Sequence, residues 1–172
     1  MKYIKAIVSI IVLTAIDQIT KFLAVRYLME GGPIVLIDGV FELRYLENRG
    51  SAFGLMQNQR IFFIIITIII VGIFVWLYCK LPDNRRMRWM HLICIGIITG
   101  ALGNFIDRFI NGYVVDFFYF KLINFPIFNV ADIYVTVSAA VLIVLGVFYY
   151  KEDDYKFLTV RKNKSDAGKE EE

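Results

Sequence analysis

The sequence predicts an all-α polytopic membrane protein, four transmembrane helices with a small extracytoplasmic β-hairpin platform. Three observations carry that prediction. Hydrophobic residues make up 58% of the chain and aromatics 16%, against 20% charged, which is more apolar surface than a soluble core could hide. Four apolar segments come near or above the roughly 18 to 20 residues that cross a bilayer. Between the first two, Asp38-Gly39 separates two short runs suited to strands. At 172 residues the chain has room for a single four-helix membrane domain over residues 1–150 and a charged tail at 151–172, with no second domain. The formal charge of +3 is too small to suggest a nucleic-acid partner, and most of the basic excess sits in short segments that read as cytoplasmic.

The first span covers about residues 4–28. Lys2 and Lys5 followed by the apolar run Ala6 to Ile16 imitate a cleavable signal peptide. The apolar phase continues through Phe22 to Leu28, and no small-x-small cleavage motif follows the first run, so a retained helix is expected. Asp17 and Lys21 interrupt it at i and i+4, on one helix face with the acid N-terminal. They either neutralise each other within the membrane or belong to a site. Each charge near a helix centre costs about 2.5 to 3.5 kcal/mol to insert, which favours the site.

An extracytoplasmic β region is expected over about 33–58. Asp38-Gly39 supplies the positive φ angles of a tight turn. In the second strand Phe41, Leu43 and Tyr45 alternate with Glu42, Arg44 and Glu47, as a sheet resting on a bundle or a bilayer surface requires. The stretch Glu47-Asn48-Arg49-Gly50-Ser51-Ala52-Phe53-Gly54 is polar and glycine-rich, and by pattern alone it reads as an ordinary loop.

The second span, about 61–80, holds nineteen uncharged residues from Ile61 to Cys79 and reads as a wall. The connector after it carries Lys80, Arg85, Arg86 and Arg88 against Asp83, which places it in the cytoplasm with Lys2 and Lys5. The segments from Tyr27 to Arg60 and from Arg108 to Asn129 lack such an excess and face outward. In the third span, about 89–107, Gly96, Gly100 and Gly103 let helices approach closely in lipid, and Asn104, Asp107 and Arg108 share a face at its outer end. Asp107 and Arg108 could equally be an interfacial ion pair. The fourth span, about 127–150, follows Pro126, a residue suited to a first helical turn. Asn129 with Asp132 three residues on also fits a helix cap with an acid in the first turn. The tail carries mixed charge and is expected to stay solvated.

The only histidine, His91, lies at the cytoplasmic end of the third span, so neither a Ser-His-Asp triad nor a histidine-rich zinc site can be assembled with the outer acids. Cys79 and Cys94 map to the same side and are expected as free thiols. No glycine-rich phosphate loop occurs, and no metal or cofactor is expected. An odd number of spans precedes each outward segment, so Asp17, Asn48, Asp107, Asp116 and Asp132 collect near the outer leaflet. Two acids held close cannot both ionise cheaply, and such a pair can activate water and protonate a carbonyl without a metal. A proton-coupled transporter is the alternative, although broken helices or paired halves are not evident. Within proteases, Ser51 paired with Lys21 is a second alternative.

Five strings then carry a resemblance: Asp17-Gln-x-Thr-Lys21, Asn48-x-Gly50 followed by Ala52-Phe53-Gly54, Gly103-Asn-x-x-Asp107-Arg108, Val114-Val-Asp116-Phe117, and Phe125-Pro-x-Phe-Asn129-x-Ala131-Asp132. Together, in this order and across all four spans, they resemble the bacterial lipoprotein signal peptidases, the signal peptidase II family. The resemblance implies a membrane aspartic endopeptidase that cuts the signal peptide from diacylglyceryl-modified prolipoproteins, immediately before the lipidated cysteine. It implies Asp116 and Asp132 as the catalytic dyad. Asn48, Asn104, Arg108 and Asn129 are implied as residues that hold the substrate and orient the dyad, with Asp17, Lys21, Gly50, Gly103, Asp107 and Ala131 supporting them. The expected partners are the lipid-modified precursor and membrane lipid. The expected setting is the bacterial cell membrane, as a monomer with both termini cytoplasmic and the site near the outer leaflet.

Overall fold

The computed structural model describes residues 1–50 and 59–158. Its elements are α1 (Lys2–Leu28), β1 (Ile34–Ile37), β2 (Phe41–Asn48), α2 (Arg60–Lys80), α3 (Arg88–Ile110), β3 (Val114–Phe120) and α4 (Val130–Phe148), with 3-10 turns at Lys121–Ile123 and Glu152–Leu158. All four α-helices are long and apolar enough to cross a membrane. The string Ala52-Phe53-Gly54, Ser51 and the tail beyond residue 158 lie outside the described residues.

α3 is the axis of the bundle. It packs against α1, α2 and α4 and is the helix with the longest run of buried residues, including Ile93, Cys94, Ile97, Ile98 and Thr99. α2 buries only Tyr78, and all its isoleucines but Ile64 stand exposed, as expected of a helix whose other faces meet lipid. In lipid, apolar burial gives helices little reason to associate, so close backbone packing matters more. The glycines of α3 provide it. A Cβ on Gly100 would collide with the Ala131 carbonyl and the Val135 side chain of α4, and one on Gly103 would sit 2.5 Å from Asp17 Oδ2 of α1.

The three strands form one antiparallel sheet in the order β1-β2-β3. The hairpin turns at Asp38-Gly39, but only Gly39 takes a positive φ, 69°, and Asp38 does not; Val40 N–H donates to the Ile37 carbonyl at 3.0 Å. Leu43 and Tyr45 of β2, with Val115 and Phe117 of β3, pack on Ala24 and Leu28 at the C-terminal end of α1. The alternation of β2 therefore does turn Leu43 and Tyr45 inward.

Several expectations need correction. Val114–Phe120, within the outward segment from Arg108 to Asn129 where no strand was expected, is a strand paired with β2 from Phe41↔Phe120 to Asn48↔Val114. Its run Val-Val-Asp-Phe-Phe-Tyr-Phe shows no alternation because Val114 to Phe117 are buried on both faces. Glu42, expected on the polar face, is buried and paired with Lys121 at 3.3 Å. The fourth helix starts at Val130 and not near residue 127. Phe128 remains extended because it exchanges backbone hydrogen bonds with Phe118, leaving Pro126 outside the first turn. α3 in turn continues to Ile110, three residues beyond its expected end.

Candidate active site

Asp116 stands in the middle of β3 and is 1% exposed. The Asn48 amide, from the last residue of β2, donates to its Oδ2 at 2.8 Å, and the Asn129 amide donates to Oδ1 at 2.6 Å. Asn48 is itself fixed, since its Oδ1 accepts from Gly50 N–H at 3.0 Å. Asp132 is the third residue of α4. Its Oδ2 accepts from the Asn129 backbone N–H at 3.0 Å while the Asn129 side chain accepts from the Asp132 N–H at 3.0 Å, a complete capping box. Its Oδ1 accepts from the Asn104 amide at 2.8 Å.

Asn129 therefore starts α4 and links the two carboxylates at the same time. Both carboxylates line one cavity of about 620 Å³, shared with Asn48 and Arg108 and walled by Phe125 to Phe128 and by Ile133, Thr136 and Val137 of α4. Arg108 donates to the Gly50 carbonyl at 3.1 Å and lies over the Phe63 ring at 4.6 Å. Burial, reinforced by the charge of Asp132, pushes the Asp116 carboxyl up to about 7; the Asn48 and Asn129 amides and Lys21 pull the other way. An acid with that affinity exchanges its proton near neutral pH.

Beneath this pair lies a second layer of charge. Lys21 bridges Asp17 at 2.9 Å and Asp107 at 3.0 Å, all three almost fully buried, and also donates to Asn104 Oδ1 at 2.9 Å. Both acids also hold backbone. Asp17 Oδ1 accepts from Ala131 N–H at 2.8 Å, and Asp107 Oδ2 accepts from Val115 N–H at 3.1 Å. Ala131 precedes Asp132 and Val115 precedes Asp116. Each buried acid thus grips the peptide next to one of the cavity aspartates, and Lys21 supplies the charge that lets both acids remain buried.

Comparison with known proteins places the chain in a family. The family model described as signal peptidase (SPase) II matches residues 9–148. A lipoprotein signal peptidase of Caldanaerobacter subterraneus subsp. tengcongensis is 44% identical over 144 residues, 83% of this chain and 96% of the relative. One of Streptococcus pyogenes serotype M5 is 38% identical over 149 residues, 87% of this chain and 95% of the relative. Two bacterial membrane enzymes solved by the in meso method, at 2.3 and 1.9 Å, each superpose with a TM-score of 0.73. The first is 32% identical and covers 81% of this chain and 85% of its own; the second is 30% identical and covers 85% and 94%. The chain belongs to the signal peptidase II family. It is therefore a peptidase of bacterial type embedded in a membrane by several helices.

The structure brings together all twelve residues singled out in the sequence. Asp17, Lys21, Asn104, Asp107, Asn129 and Asp132 form one network with Asp116, while Asn48, Gly50 and Arg108 close its outer side. Gly103 and Ala131 are the small residues that leave room for Asp17. Asp107 does not pair with Arg108, its sequence neighbour, but with Lys21 across the helix interface. Sequence reasoning missed Gln18, whose amide reaches Asp17 at 3.1 Å, the Gly103 carbonyl at 3.2 Å and Asp107 at 3.0 Å. Its position inside the Asp17-Gln18-x-Thr20-Lys21 string was the available signal.

Proposed function

We propose that this signal peptidase II family member removes the signal peptide from diacylglyceryl-modified prolipoproteins, cutting before the lipidated cysteine, with Asp116 and Asp132 as its catalytic dyad. The observation that carries the reading is that two carboxylates, Asp116 buried and Asp132 half-buried, line one cavity, and that among the described residues each side-chain donor to them is an asparagine that also bonds elsewhere. In this reading the pair shares one proton near neutral pH. The ionised partner takes a proton from water as its oxygen attacks the scissile carbonyl, and the protonated partner gives its proton to the carbonyl oxygen. Collapse of the resulting diol returns a proton to the departing amine and restores the pair.

Arg108 and Asn48, on the rim of the cavity, hold the substrate backbone. Lys21, Asp17, Asp107 and Gln18 act through the dyad and keep its two backbones in place. Ile133, Thr136 and Val137 stand on the exposed side of α4, which favours lateral entry of a lipidated peptide from the bilayer. We further infer a monomer built as one four-helix domain over residues 1–150, both termini cytoplasmic and the dyad near the outer leaflet. The basic connector between α2 and α3 supports that orientation.

Purified protein in lipid or detergent, given a diacylglyceryl-modified precursor and the same precursor without the lipid, tests the reading by gel shift. Processing of the modified precursor alone is expected. Processing of neither, together with proton-coupled solute flux in vesicles, would replace it with a transporter.

A further inference from the structure

At the end of the bundle away from the aspartates, a second cavity of about 590 Å³ lies between the beginnings of α1 and α3. Lys2, Lys5, Arg85 and Arg88 line it against a single acid, Asp83. Among the described residues none of these four cations forms an ion pair. Lys2 spends its ammonium on the Leu81 carbonyl at 2.8 Å and on the Tyr78 ring, whereas Lys5, Arg85 and Arg88 stand exposed.

The backbone adds to the same field. α1 and α3 both begin at this cavity, and neither has an acidic residue in its first turn or a side chain capping its first N–H groups. Each such terminus carries about half a positive charge. α4 meets the same need with Asp132 and Asn129; here no acid does so, and α3 has only the Asn84 side chain on Met87 N–H and the Arg85 carbonyl on Arg88 N–H. Tyr3 and Trp89, both exposed beside the cavity, are the residue types that settle at a membrane interface. From that level Ala6, Ser9, Leu92 and Ile95 continue the cavity wall one to two turns into the span.

We propose that this cavity binds the phosphodiester headgroup of an anionic phospholipid from the adjacent leaflet, with one acyl chain lying along Leu92 and Ile95 in the seam between α1 and α3. Clustered cations attract an anionic headgroup, and the two helix termini direct N–H groups at its phosphate. The apolar continuation selects a lipid over free phosphate, which would use only the mouth of the cavity. A lipid seated there ties α1 to α3 at one end, as Lys21 does at the other.

The test uses the full-length protein in non-ionic detergent, titrated at constant ionic strength with phosphatidylglycerol, phosphatidylcholine or inorganic phosphate, and reads retained lipid by native mass spectrometry and thermal midpoint in parallel. It reads binding, not cleavage, and so stands apart from the peptidase assay. Phosphatidylglycerol should be retained about tenfold better than phosphatidylcholine, and Lys5→Gln/Arg85→Gln/Arg88→Gln should abolish the preference. Asp83→Asn should strengthen it, a gain that a misfolded protein cannot give. Equal retention of the two lipids, or a preference unchanged in the triple variant, overturns the proposal. So does inorganic phosphate that stabilises as much as phosphatidylglycerol, which would mean a free-anion site. A preference that emerges only after Glu170→Gln/Glu171→Gln/Glu172→Gln would make the chain's own tail the occupant and overturn it as well.

Discussion

Asp116→Asn should change how the stability of the protein depends on pH, and the direction follows from the environment of that carboxyl. In the folded protein burial raises it from 3.8 to about 7. A group whose folded value is raised contributes stability that is fully present below its unfolded value and is lost as pH rises through the folded one. Asp116 therefore stabilises the fold at about pH 4 relative to pH 8. At about 1.4 kcal/mol per pH unit the full effect is on the order of 4 kcal/mol, and the compactness of real unfolded states and relaxation around the site reduce it. Asparagine at this position cannot ionise, so the variant loses that slope.

The variant also has its own cost. A carboxylate accepts from both the Asn48 and Asn129 amides, whereas an asparagine offers one oxygen and must turn its own N–H₂ towards one of those donors, at about 1 to 3 kcal/mol. The variant should be the less stable protein at pH 5 and should close the gap or overtake the parent by pH 8. Thermal unfolding of both proteins in the same nanodiscs at pH 5, 6, 7 and 8 measures this. The difference between the two curves cancels the titrating groups that do not interact with Asp116 and leaves the coupled Asp116–Asp132 pair. A difference that is flat across the range, or that grows with pH in favour of the parent, would refute a buried Asp116 that titrates near neutrality.

The remaining predictions concern the support of the pair and the setting of the reaction. Gly103→Ala places a methyl group 2.5 Å from Asp17 Oδ2, pushing on the carboxylate that holds Ala131 N–H; cleavage should fall about 100-fold while membrane insertion persists, because displacements near 1 Å at a reacting centre have that effect. Chelators should leave cleavage intact, and Ser51→Ala should retain much of it; loss in a folded Ser51→Ala protein would point to a serine nucleophile. In a Cys79→Ala/Cys94→Ala background, Asp38→Cys and Asn111→Cys should label with impermeant reagents from outside the cell, while Asp83→Cys should not.

What could be seen in the sequence, and what could not, divides along physical lines. Charges inside apolar spans stand out because each is costly to bury, and this alone exposed Asp17, Lys21, Asp107 and Asp132. The Asp38-Gly39 hairpin was legible because its turn puts Gly39 at a positive φ. β3 was hidden because a strand covered on both faces loses the period of two, and Val114 to Phe120 looks like any apolar run. Glu42 read as solvent-facing because its cation, Lys121, lies 79 residues away on a strand pairing the sequence does not announce. Asp107 was set beside Arg108 by adjacency, yet its cation is on another helix. The N-terminal turn of α4 shows a different limit: capping and cavity lining both looked possible for Asp132, and the structure has one carboxylate doing both.

That double use makes the rate of cleavage by Asp132→Asn the most direct test of the central claim, measured on a diacylglyceryl-modified precursor beside Asp116→Asn and the double variant. Losing the cap alone costs about 1 kcal/mol of stability and leaves turnover almost untouched. If the two aspartates act as one acid and base pair, each single variant should insert, bind precursor and cleave about 100-fold or more slowly, and the double variant should be scarcely slower than either. Near-normal cleavage by a folded Asp132→Asn or Asp116→Asn protein would contradict the account.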